Sequence, residues 1–122
     1  MVSKAIESYL YFLRDTEQKF NMAAADEQEA NDETQDILHS LELQEHDYHE
    51  FARLSKDLKA VRQKRRAAKD AMNEMTPVLA WIDDNRAVIK SMERLLGEVR
   101  KAEKLTESRI YTPRAKNITK DK

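Results

Sequence analysis

A chain of 122 residues is the length of one domain. With one glycine, two prolines and no cysteine, it leaves little for tight turns and excludes disulfides, thiolate catalysis and cysteine-based zinc sites. Charged residues make up 37% and apolar ones 40%, against roughly 25% and 45–50% in ordinary globular domains, a balance that suits long amphipathic helices with a narrow apolar seam, not sheets or barrels.

The first element is a helix over about residues 3–43. Its apolar positions step by three and four: Ile6, Tyr9, Leu13, Thr16, Phe20, Ala23, Glu27, Ala30, Thr34, Ile37, Leu41. A period of 3.5 held this long points to coiled-coil packing. At about 1.5 Å per residue the helix would be roughly 60 Å long, which suits an extended bundle. The run "YLYFL" puts apolar residues on every side of its first turns, so some of Tyr9, Leu10, Phe12 and Leu13 should face a partner.

A second helix should cover about 48–74. Asp47 and Glu50 have the spacing of a capping box, and the seam resumes as Phe51, Leu54, Leu58, Val61, Arg65, Ala68, Met72, Met75. A link as short as residues 44–47 favours antiparallel neighbours. The net charge of −1 hides a polarised layout that agrees. Phe20 to Ala52 carries no Lys or Arg, whereas Arg53 to Lys69 is basic throughout except for Asp57. Folding the chain about residue 45 lays the acidic flank along the basic one and sets Glu27 level with Arg65. That pair would fix register more than add stability, because desolvating two charges offsets much of their attraction.

Thr76–Pro77 marks the next expected boundary, with a third helix over about 77–105. Its stripe is Val78, Ile82, Asn85, Ile89, Met92, Leu96 and Val99, widened by Trp81, Val88 and Leu95. Trp81 and Phe51 read as core residues at helix ends. If the chain reverses at Pro77, the third helix completes a three-helix bundle and the first turns of helix one stay uncovered. If it kinks there, those turns meet Leu79 and Ile82, and Ile89, Met92, Leu96 and Val99 are left over. Of the two, reversal is the slightly preferred expectation. Gly97 weakens its helix unless a neighbour approaches closely. From Ser108 the chain reads as a basic, irregular tail to residue 122. The fold expected is therefore all-α, an elongated antiparallel helical hairpin or a three-helix coiled-coil-like bundle over 1–107.

Three readings of chemistry compete. His39, His46 and His49 lie among carboxylates, but no second Asp/Glu-x-x-His motif faces them, so they read as a polar hairpin corner and no metal or cofactor is expected. Lys59, Arg62, Arg66 and Lys69 share a helix face that could meet nucleic-acid phosphates, with the tail as an accessory. The bland alternative is a flank neutralised by helix one. No glycine-rich phosphate loop or nucleophile motif is present, so an enzyme is not expected. The apolar surface that one chain leaves over, with Tyr9, Leu10, Phe12, Leu13, Ile89, Met92 and Leu96 as its candidate residues, points to self-association or a protein partner. With no secretory signal and no apolar run near the roughly 20 residues of a membrane span, the expected setting is the cytoplasm.

The segments "EANDETQDILHSLEL", "VRQKRRAAKD", "LLGEVRKAEK" and "YTPR" resemble small, mostly uncharacterised proteins of phages and prophages of Gram-positive bacteria. The resemblance covers most of the chain and brings no activity or functional residue with it. What it implies is a protein that binds and redirects a host protein, as an inhibitor or adaptor, including of defence nucleases.

Overall fold

Asp47 sits in extended backbone just ahead of the second helix, and its carboxylate accepts from the Glu50 N–H at 2.8 Å while its own N–H donates to Glu50 Oε1 at 3.1 Å. Two backbone donors at that helix end are thereby satisfied reciprocally, as the capping-box spacing requires. A computed structural model describes residues 1–108; the expected tail beyond Ser108 lies outside the described residues. Three helices account for nearly all of them: α1 (Val2–Leu43), α2 (Tyr48–Asp84) and α3 (Arg86–Glu107), with no strand among the described residues. The fold is all-α.

The expected boundary at Thr76–Pro77 is absent. α2 continues through Pro77 to Asp84. An internal proline removes one backbone hydrogen bond and crowds the carbonyl four residues back. Pro77 lies on the exposed face of α2, where water can serve that carbonyl. Thr76 does not cap a new helix; its hydroxyl donates to Met72 O at 2.8 Å within α2. The break falls at Asn85 instead. Its N–H turns back to Ile82 O at 3.2 Å, and its side-chain amide donates to Trp81 O at 2.8 Å. A short amide that serves a freed carbonyl is what makes Asn a helix terminator.

The chain forms two compact units. The larger, Tyr11–Arg86, holds most of α1 and all of α2. Its helices run antiparallel: Lys64 lies 3.4 Å from Glu29 and 3.8 Å from Glu33, and Arg86 lies 3.8 Å from Glu17. The buried stripe is Leu13, Thr16, Ala23 and Ala30 on α1 with Val61, Ala68 and Ile82 on α2. Three of these are alanines, so each layer in the middle removes little apolar area from water, and area sets the hydrophobic term. The hydroxyls in this stripe are satisfied within α1: Thr16 donates to Phe12 O and Thr34 to Ala30 O.

The smaller unit sets Met1–Leu10 against α3 from Ala87 on. The first turns of α1 are therefore not left uncovered. Ser3 N–H donates to Glu103 Oε2 at 3.0 Å, and Arg100 pairs with Glu7. Ser3, Leu10 and Leu96 are buried, with Ile6, Ile89, Met92 and Val99 half-buried beside them. The series of buried and half-buried positions on α1 thus reads 3, 6, 10, 13, 16, 20, 23. Between Leu10 and Thr16 two steps of three follow each other, a local departure from the heptad of the kind called a stammer. Tyr9, expected in the seam, is displaced by Leu10: the two are 37% and 2% exposed.

Candidate interaction surfaces

The hairpin corner holds the histidines, and it is a structural joint. The His46 side chain is nearly buried and folds back over the end of α1. Its Nε2–H donates to Ser40 O at 2.9 Å, a carbonyl that also accepts from the Gln44 N–H at 3.1 Å. Because a carbonyl only accepts, that bond assigns the ring proton to Nε2. The ring also meets Phe51 edge-on at 5.5 Å, and Glu50 Oε2 lies 3.8 Å from Nδ1. His39 and His49 are exposed, the latter edge-on to Tyr48 at 5.8 Å. No three side chains of His, Asp or Glu converge as metal ligands among the described residues.

The expected Glu27–Arg65 pair does not form. Arg65 Nε–H donates to Asn31 Oδ1 at 2.6 Å, about one turn beyond Glu27. The reason is the link. Residues 44–47 fold His46 back onto α1 before α2 begins, so the point of reversal is not the middle of the loop. Folding about residue 45 therefore misplaces the register by a turn.

Three of the expected interface residues belong to the interior. Leu10, Leu13 and Leu96 are buried within the chain, and Ile89 and Met92 are half-buried. Tyr9 and Phe12 do reach the surface. Trp81 and Phe51, expected in the core, are 38% and 44% exposed. Two packed helices bury only one stripe on each, and Trp81 falls outside it; Phe51 lies on the stripe but at the end of the hairpin, where His46 covers it from one side.

Heptad letters make the remaining surfaces legible. In the smaller unit Ser3, Leu10, Ile89 and Leu96 occupy a, and Ile6, Met92 and Val99 occupy d. Glu7 and Arg100 are then both e, and they pair. In antiparallel helices e meets e and g meets g. The opposite, g, side of this unit carries Val2 and Tyr9 from α1 with Val88, Leu95 and Ala102 from α3. Val88 and Leu95 are 48% and 50% exposed. One flank is closed by an ion pair, and on the other Val2, Val88 and Leu95 are exposed. Widening residues in the sequence stripe, Val88 and Leu95, were the available signal for it; the choice of Leu10 over Tyr9 as core was not readable.

In the larger unit Lys64 and Glu33 are both g, and they lie within 4 Å of each other. That side also carries Asp26, Glu29, Asp36, Asp57 and Glu74. The four cations Lys59, Arg62, Arg66 and Lys69 fall on the other, e and b, side. They make no ion pair among the described residues, so the acidic segment of α1 does not neutralise them.

No protein-family model matches the chain, no curated protein matches its sequence, and no solved structure matches its fold. No helix among the described residues is long and apolar enough to cross a membrane.

Proposed function

We propose that the protein works without catalysis, as a helical interaction module that associates with a second copy of itself through the apolar flank of its smaller unit. What supports this reading is the exposure of Val88 and Leu95, with Val2 exposed at the same flank. Surface side chains of this size are unremarkable singly, but a contiguous row usually marks an interface. A second copy suits it because a symmetric dimer buries the same patch twice and needs only self-complementarity. Two helices from each copy would then enclose the stripe that one pair leaves open, as in a four-helix bundle. On the resemblance to phage proteins, the assembled form would act by holding a host protein.

Light scattering on the full chain tests the association. The expected mass is that of a dimer or larger species. Val88→Glu and Leu95→Glu together should return it to a monomer with unchanged helical circular dichroism, since both positions are open to solvent in one chain. A wild-type monomer at high micromolar concentration overturns the reading.

A further inference from the structure

The cations of α2 were expected beside the acids of α1, yet the register and the helix rotation separate them. On the e and b side of the larger unit, α2 presents Lys59, Arg62, Arg66 and Lys69, with Ser55 and Asn73 at either end. The facing positions of α1 are Asn21, Ala24, Gln28, Asn31, Gln35 and Leu38, none of them charged. Arg65 joins the two helices at the floor of this surface through Asn31. Leu58, Lys59, Arg62, Gln63, Arg65 and Arg66 line a shallow groove there. Among the described residues, acids border the surface only on the outer crests, at Asp32, which accepts from Gln28, and at Asp70. Glu27, in the seam, makes no ion pair with the cations. By contrast, Lys64 on the opposite side lies within 4 Å of two carboxylates.

We infer that this surface binds the phosphate backbone of a nucleic-acid duplex, independently of base sequence. Four cations spaced by three and four residues occupy one line about 15 Å long, and the amides beside them can donate to phosphate oxygens without adding negative charge. Among the described residues no aromatic side chain lies on the surface to stack on unpaired bases, which favours a duplex over a single strand. The whole chain carries −1, so attraction to a polyanion must come from the local separation of charge rather than from net charge.

The test is fluorescence anisotropy of a labelled duplex of arbitrary sequence, as DNA and as RNA, titrated with the full chain at several salt concentrations. Four neutralised phosphates predict a slope of log affinity on log salt of about −3.6, or on the order of a 100-fold loss between 50 and 200 mM. Arg62→Glu, Arg66→Glu and Lys69→Glu together should abolish binding. A matched set on α3, Lys90→Glu, Arg94→Glu and Lys101→Glu, changes net charge equally and should retain most of it. Circular dichroism of both sets confirms that each is folded. Binding to either duplex with this pattern supports the inference. Equal loss in both sets, tighter binding to a single strand, preference for polyglutamate over the duplex, or no binding at 50 mM salt each overturns it.

Discussion

Arg65 donates to Asn31 across the larger unit at 2.6 Å, and Glu27, one turn earlier on α1, is not its partner. A guanidinium held by a neutral amide avoids the desolvation of a second charge, and a hydrogen bond to a charged group still contributes more than a neutral one. This contact lies between half-buried residues, so it discriminates between registers where the surrounding alanines cannot. Alanine looks the same one turn away.

Asn31→Ala should therefore destabilise the protein by about 1 kcal/mol, whereas Glu27→Ala should stay within about 0.5 kcal/mol. Urea denaturation of the two variants checks the order. A double-mutant cycle with Arg65→Met should give a coupling energy for Asn31 and none for Glu27.

Glu103 makes stability depend on acid. Hydrogen bonds from the Ser3 hydroxyl and backbone N–H hold its carboxyl below the ordinary carboxylate range, and the carboxylate sits at the N-terminus of α1, where the helix dipole favours negative charge. Since the folded value is the lower one, the contribution is fully present above the unfolded value of about 4.3. It is lost as pH falls through the folded value. Wild type should be more stable than Glu103→Gln at pH 7, and the gap should close below about pH 4. Denaturation midpoints against pH measure it.

Gly97 has no structural employment. A Cβ built on it would meet nothing within 4 Å, and it lies inside α3 on an exposed face. Gly97→Ala should stabilise the protein by about 0.5–1 kcal/mol through the entropy of the unfolded chain. A rise in thermal midpoint with no change in helical spectrum is the expected readout.

His46 should matter while His39 and His49 should not. His46→Ala removes one of the two donors to Ser40 O, the other being the Gln44 N–H, together with the edge contact with Phe51, an expected loss of about 1 kcal/mol. The same change at the two exposed histidines should stay within about 0.5 kcal/mol. Chemical denaturation of the three single variants separates them.

Much of this architecture was legible because it rests on local rules. The 3.5-residue rhythm, the capping box at Asp47 and the brevity of the link together specify long helices and an antiparallel turn, and none of these depends on what lies across the seam. Pro77 misled because a proline costs an internal hydrogen bond and crowds one carbonyl without necessarily ending a helix, and at an exposed position water can reach the carbonyl it frees. Asn85 was the better terminator, yet it sat inside an apolar pattern that absorbed it.

What the sequence determined by itself was the all-α class, the corner, and which residues are apolar or charged. The tertiary structure alone decided which of them meet. Leu10 displaced Tyr9 from the seam through a stammer, and a joint at His46 moved the register by a turn. That rotation and shift left Lys59, Arg62, Arg66 and Lys69 beside amides instead of acids. The physical reason is that a heptad pattern fixes the stripe a helix buries but not its axial register, and small side chains such as Ala23, Ala30 and Ala68 do little to specify it.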